Sequence, residues 1–179
     1  MLGFLFGVSQ ELIHYVYPSE FPTIIFPMSF VEWLDVLGLF LLLAGFVIGL
    51  GAVTVIDIHG FLGRTSSYWT EATTRTHKVT KPMIWAGITL AVVGGFIFYR
   101  AHGFSGIPLI HALIALTLIV NGSFLSFRVS PFMLKREKEG RSGELLPASW
   151  QKKIMASLIV SDLGWWGGLL LLVVYLVNR

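Results

Sequence analysis

The side chains of this chain that could bind a metal or carry a proton are five histidines and ten acidic residues, and the chain has no cysteine. His111 lies four residues inside an apolar run, and Ala115, Leu118 and Gly122 share its helical face. Because that face is apolar and contains small residues, we expect His111 to point into the protein interior. A neutral imidazole there can ligate a haem iron or another metal, or it can form hydrogen bonds as a structural residue.

Two further histidines and an aspartate lie around the ends of apolar runs. Asp57 and His59 follow the first run, and His77 precedes the second. Gly60 indicates a helix C-terminal cap, where a protonated His59 would interact favourably with the helix end. Alternatively, His59 and His77 are a pair of axial ligands from adjacent helices. Asp57 and His59 are two residues apart, so they point to different sides of a helix and make a poor metal pair.

Asp162 is the most costly residue to place in a membrane, because it is the ninth residue of the run from Ile154 to Val177. At 1.5 Å per residue it lies at a depth of ~13 Å. Asn121, on the preceding run, reaches a comparable depth from the same side. A protonated Asp162 could join the two helices by a hydrogen bond to Asn121, or it could relay protons or ions.

The elements that must position these residues are long apolar runs. The composition is 55% hydrophobic and 13% charged, whereas an ordinary soluble protein has about 25% charged residues. A bilayer core of ~30 Å requires about 20 apolar residues in a helix. The sequence therefore predicts an all-α fold, an integral membrane four-helix bundle. Its spans are about 36–56, 83–99, 107–127 and 154–177.

Small residues on these runs indicate close packing between the helices. Gly45 and Gly49 form a GxxxG pair on the first run, and Gly87, Ala91 and Gly94 share a face of the second. Apolar burial does not distinguish a neighbouring helix from lipid, so small residues that let two backbones approach favour their association. Ser161, Gly164 and Gly168 form a similar stripe on the last run, and we expect these faces to let the helices of the bundle approach closely.

The chain divides into an N-terminal segment, 1–28, and a bundle, 29–179. Residues 1–17 are apolar at their start but contain Glu11 and His14, and three prolines follow. The segment has no basic region like that of a cleaved signal peptide. These features favour an extracytoplasmic interfacial helix on the membrane surface over a fifth span.

Most of the thirteen basic residues lie in two loops, one between the first two spans and one between the last two. Under the positive-inside rule these loops are cytoplasmic and both termini are extracytoplasmic, as in a multi-pass protein of a prokaryotic-type inner membrane. Basic residues beside apolar runs are topology signals, so we expect no nucleic acid partner. The expected partners are the lipid bilayer and either other membrane proteins or further copies of this chain.

Three stretches resemble a known superfamily: Gly49–His59, Lys81-Pro82-Met83-Ile84-Trp85-Ala86-Gly87, and Leu109-Ile110-His111-Ala112 running to Arg128. The layout is similar to that of the four-span, haem-containing membrane protoporphyrinogen oxidases and the copper-resistance D-type membrane proteins. In the oxidase branch, a histidine early in the first span and a His-x-Lys motif opening the third serve the haem. His111 matches the motif histidine, whereas Leu113 replaces its lysine and Gly38 stands at about the position of the first-span histidine.

The resemblance implies a cofactor, haem b or a transition metal such as copper. Haem could be ligated by His111 together with His102 or His14. A metal could be held by His111 with Glu32 or Asp35 from the same side of the membrane.

Two functions follow from these features. The first is a small membrane redox protein that binds haem b or a metal, with His111 as a ligand. The alternative is a non-enzymatic accessory subunit or small carrier with a polar track through Asn121 and Asp162. The chain has no Walker loop, GxSxG or HExxH motif, so phosphoryl transfer, serine hydrolysis and zinc proteolysis lack their parts.

Overall fold

The computed structural model describes residues 29–101, 103 and 105–178 of the chain. In this part the helices are α1 (Phe30–Leu62), α2 (Ser67–Tyr99), α3 (Ile107–Phe124), a π-helical segment (Leu125–Val129), α4 (Ser130–Lys138) and α5 (Ala148–Val177). The described residues contain no strand. The predicted interfacial helix, with His14, lies outside them, as does His102.

Four helical stretches of the described chain are long and apolar enough to cross a membrane: Phe30–Leu62, Ser67–Tyr99, Ile107–Lys138 and Ala148–Val177. The third comprises α3, the π-helical segment and α4 in one continuous helix. The prediction of an all-α four-helix membrane bundle is confirmed, and the protein is a multi-pass membrane protein. The bundle from Glu32 onward is one compact unit.

The contact between α1 and α2 is made by backbone rather than by side chains. A Cβ atom added to Gly87 would lie 2.5 Å from the Cα of Gly49, and one added to Gly45 would overlap the backbone of Ala91. Gly94 meets the backbone of Leu42 in the same way. The small residues therefore allow close approach of the two helices, as predicted.

Trp165 of α5 fills the centre of the bundle and is 1% exposed. Its ring lies directly against Gly49 of α1, where any Cβ would overlap it. The ring also packs edge-on against Phe46, with 5.9 Å between the ring centroids. One large side chain thus fixes the position of α5 against α1.

The helices extend beyond the predicted apolar runs, chiefly at the end of the bundle where α1 connects to α2 and α4 to α5. The predicted cap at Gly60 is wrong, because α1 continues to Leu62. Gly63 N then donates to His59 O over 2.8 Å and ends the helix. Polar side chains close this turn, since Thr70 Oγ1 donates to Gly63 O over 2.7 Å.

The connection between α4 and α5 is held by a buried arginine. Nη2 of Arg136 donates to the carbonyl oxygens of Glu144 at 3.0 Å and Leu145 at 3.3 Å. Phe132 and Trp150 stack with 4.2 Å between their ring centroids and so join α4 to α5. These contacts order the polar end of the bundle, where the candidate site lies.

Candidate functional site

A π-helical segment, Leu125–Val129, interrupts the third membrane helix. Pro131 favours this widening, because it has no N–H to donate to Phe127 and its ring would clash with that carbonyl group in a regular α-helix. Isolated π-helical turns occur frequently at functional sites. Here the widened turn places Ser126 on the inner side of the helix, where it is buried.

Ser126 connects the π-helical segment to α2. Its Oγ accepts a hydrogen bond from Trp85 Nε1 at 3.0 Å, and its carbonyl oxygen accepts one from Lys81 Nζ at 3.4 Å. Lys81 thereby turns inward rather than toward bulk water. The side chains of Lys81, Trp85 and Ser126 form one wall of a cavity.

This cavity, which we name the loop cavity, has a volume of about 90 Å³. That volume is large enough to hold water. Residues of α1, α2, α3, α5 and the π-helical segment line it. Its polar lining includes Asp57, Arg64, His77, Lys81, Asn121, Ser126, Gln151 and Ser161. Because Arg64 is exposed in the α1–α2 turn, the cavity extends to the loop end of the bundle.

Asp57 and His77 each present an unpartnered polar atom in this region. Asp57 is 7% exposed, and neither its Oδ2 nor His77 Nε2 has a hydrogen-bond partner among the described residues. Leaving a buried polar atom unpaired costs roughly 1–3 kcal/mol. Both residues line the loop cavity, although these two atoms themselves are covered in this conformation.

Asp162 lies close enough to Asp57 for the two carboxyl groups to interact electrostatically. Asp162 is half-buried on α5, whereas Asp57 is on α1. The two acidic residues that the sequence places in separate spans therefore belong to the same region of the bundle.

The hydrogen bond considered between Asp162 and Asn121 is not formed, and Asn121 bonds to Ser157 instead. Asn121 Nδ2 donates to Ser157 O at 3.0 Å, and Ser157 Oγ donates to Asn121 Oδ1 at 2.6 Å. Asp162 is five residues further along α5, which places it about 140° around the helix from Ser157 at 100° per residue. Asn121 therefore joins α3 to α5 through Ser157.

His111 points into the bundle, as predicted from its helical face, and both ring nitrogens have partners. Nε2 lies 2.8 Å from the carbonyl oxygen of Gly168, and Nδ1 lies 2.7 Å from the hydroxyl oxygen of Tyr99. A carbonyl oxygen can only accept, so Nε2 carries the proton and Nδ1 accepts from Tyr99. His111 therefore bridges α2, α3 and α5.

A second cavity, which we name the His111 cavity, adjoins this bridge and has a volume of about 240 Å³. Apart from Tyr99 and His111, its lining is apolar or aromatic and includes Leu42, Phe46, Ala91, Val92, Phe96, Ile114, Ala115 and Leu116. Phe96 and Leu116 are 61% and 58% exposed, so the cavity borders the lipid-facing surface.

The other candidate ligands are engaged in different contacts. Asp35 forms an ion pair with Arg100 at 2.6 Å, and Glu32 lies in the first turn of α1. His59 Nδ1 lies 3.2 Å from Thr76 Oγ1, and its ring packs on Trp69, whereas His77 lines the loop cavity.

The described part of the chain contains no group of three or more His, Cys, Asp or Glu side chains that could hold a metal ion. Haem ligation by His111 would require its imidazole to break the hydrogen bond to Tyr99 or the one to Gly168.

Sequence reasoning singled out Asp57 and His77 but did not place them on one cavity. It placed Ser157 near Asp162 but missed its bonds to Asn121, and it also missed Tyr99 as a partner of His111 and the π-helical segment. Pro131 could have indicated the π-helical segment, because proline disrupts a regular helix. The hydroxyl group of Tyr99, at the end of an apolar run, could have indicated a hydrogen-bond partner for His111.

Comparison with known proteins found no matching family model, no matching curated protein and no matching solved structure. The resemblance to the four-span oxidase superfamily stays a prediction.

Proposed function

We propose that the protein is a small, non-enzymatic membrane carrier that loads from the cytoplasm through the loop cavity and moves a proton. The observation that supports this most strongly is the pair of unpartnered atoms, Asp57 Oδ2 and His77 Nε2, on residues that line one cavity. A carboxyl group and an imidazole that line the same cavity can each take up and release a proton.

The distribution of basic residues supports loading from the cytoplasm. The loop cavity extends to Arg64 in the α1–α2 turn and to Gln151 at the start of α5. The two connections at this end carry most of the lysines and arginines of the chain. Under the positive-inside rule, this end faces the cytoplasm, and the chain termini lie on the other side of the membrane.

The charges around the loop cavity suggest the route that a proton takes. Arg64 lines its outer part, and Asp57 and His77 provide groups that accept a proton. Lys81 lies one helical turn deeper along α2 than His77. Asp162 interacts electrostatically with Asp57 and provides a second carboxyl group on α5. Acidic side chains within spans are expensive to bury and commonly serve in proton relays. Asn121 also lines the cavity, but its hydrogen bonds to Ser157 give it a structural role, the joining of α3 to α5.

The redox alternative, with haem b or a transition metal at His111, has less support from the geometry. Both nitrogens of His111 are hydrogen-bonded, and His59 contacts Thr76 and Trp69. A visible spectrum of the detergent-purified protein separates the two functions. The carrier proposal predicts a colourless preparation, and a Soret band that disappears in His111→Ala would support the redox function.

Proton flux into liposomes tests the carrier proposal. Purified protein is reconstituted with a pH-sensitive dye inside, and a potassium gradient with valinomycin imposes a membrane potential. We expect the protein to acidify the lumen faster than in protein-free liposomes. Asp57→Asn and His77→Gln should each return the rate toward the protein-free value, because the amides cannot exchange the proton.

Glu71→Gln is the matched control for these variants. Glu71 is an acidic residue of α2 that pairs with Arg75 on the surface and does not line the loop cavity. Its variant should therefore retain the wild-type flux. Folded wild-type protein that leaves the flux at the protein-free level would overturn the proposal.

A further inference from the structure

Three residues line both the loop cavity and the His111 cavity: Ile88, Leu118 and Trp165. They come from α2, α3 and α5, and they are 5%, 7% and 1% exposed. A residue that lines two cavities lies between them. These three side chains, which we name the apolar layer, therefore separate the loop cavity from the His111 cavity.

Glycines let the apolar layer close tightly. Gly49 of α1 lies against the ring of Trp165, so α1 completes the seal. A Cβ added to Gly164 would lie 2.7 Å from Leu118 Cδ2, which shows that Leu118 rests on the bare backbone of α5. The layer has no empty space at these two positions in this conformation.

A constriction lined by apolar side chains excludes water and ions, because these side chains offer them no hydrogen bonds. The apolar layer contains one polar group, the indole N–H of Trp165. On its loop side lie Asp57, His77 and Asn121, and on its other side lies the largely apolar His111 cavity. Water that enters from the loops therefore reaches the residues that line the loop cavity, Asp57 among them, but stops at the layer.

We infer that Ile88, Leu118 and Trp165 form a hydrophobic gate that closes the loop cavity from the rest of the bundle. In the carrier, this gate holds the proton on Asp57 and His77 until the side chains of the layer move apart. That part of the inference rests on the proposed function. The seal itself is a property of the packing and can be tested without any transport.

Single cysteines provide the test, because the chain has no cysteine of its own. Ser161→Cys places a thiol on the loop cavity, and Ala115→Cys places one on the His111 cavity. Ser142→Cys, in the α4–α5 connection, identifies the loop side of the membrane in vesicles of either orientation. The probe is the silver ion, a membrane-impermeant, thiol-reactive cation small enough to enter the loop cavity, and protection of the thiol from later alkylation in denaturant measures its binding.

We expect Ser161→Cys to react from the side at which Ser142→Cys reacts, and Ala115→Cys to react at least tenfold more slowly from that side. Adding Leu118→Ser to Ala115→Cys should raise its rate at least tenfold. If Leu118→Ser does not fold, Leu118→Ala replaces it, because alanine also shortens the side chain but adds no hydroxyl group to the layer. Thr117→Cys, on the exposed face of α3, is the control and should stay unreactive in both backgrounds.

Two results would overturn the inference. Rapid reaction of Ala115→Cys from the loop side with the layer intact would mean that the layer does not seal. No gain of reactivity in folded Leu118→Ser or Leu118→Ala protein would mean that the barrier lies elsewhere. Neither measurement uses proton flux, so a sealed layer in a protein without flux would reject the carrier function and retain the gate.

Discussion

The double contact between Asn121 and Ser157 allows a quantitative test of how α3 is held against α5. Asn121 Nδ2 donates to the Ser157 backbone oxygen, and the Ser157 hydroxyl donates to Asn121 Oδ1. Ser157→Ala removes the second bond and keeps the first, whereas Asn121→Ala removes both. Interhelical hydrogen bonds in a membrane contribute about 0.6 kcal/mol on average and at most ~1.7 kcal/mol.

We therefore expect Ser157→Ala to lower the free energy of unfolding by about 0.6 kcal/mol and Asn121→Ala by roughly twice as much. The double variant should be no less stable than Asn121→Ala alone, because the serine hydroxyl has already lost its acceptor. The coupling in the double-mutant cycle should then equal the cost of Ser157→Ala. Reversible unfolding of the protein in mixed detergent micelles measures all four states.

The cycle refutes this reasoning if the two single substitutions add in the double variant. Additivity would mean that the two side chains act independently and that α3 and α5 are held by other contacts. Thr117→Val is a suitable control, because Thr117 donates only within its own helix, to Leu113 O at 2.9 Å, and is exposed to lipid. We expect its stability to stay within about 0.5 kcal/mol of the wild type.

Three other substitutions test the packing. Tyr99→Phe removes the hydroxyl that donates to His111. The free energy of unfolding should fall by about 0.5–1.5 kcal/mol in the same assay, and an unchanged value would contradict the His111 bridge between the helices. Gly87→Ala should lower the free energy of unfolding by about 1–3 kcal/mol, because the added methyl group overpacks the contact between α1 and α2. The control Gly51→Ala should be neutral or stabilising, because Gly51 has open space around it. Equal effects of the two substitutions would contradict the close approach of α1 and α2. Arg136→Ala should make the α4–α5 connection the first site of limited proteolysis, and unaltered cleavage would show that the buried guanidinium does not hold it.

The four membrane helices and their close packing could be predicted from the sequence, because hydrophobic length and small-residue spacing are local properties. The apolar runs at 36–56 and 107–127 each lie inside a helix of the structure, although the helices continue past them into polar residues. Apolar length marks where a helix meets lipid. It does not mark where the helix ends, as Gly60 illustrates.

The candidate site could be predicted only in part, because it depends on the rotation of the helices about their axes. The inward direction of His111 followed from its own helical face. Its partners, Tyr99 and Gly168, are on other helices, and no local pattern specifies which residues meet across the bundle. The same reason explains why Ser157, rather than Asp162, bonds to Asn121.

The most direct test of the carrier is the proton flux of Asp57→Asn compared with the wild type in liposomes under one imposed membrane potential. We predict that Asp57→Asn falls to the protein-free rate and that adding His77→Gln to it causes no further loss, because both residues serve one cavity. Glu71→Gln should match the wild type in the same preparation. Wild-type flux retained in folded Asp57→Asn protein would contradict the assignment of the loop cavity as the proton-loading site.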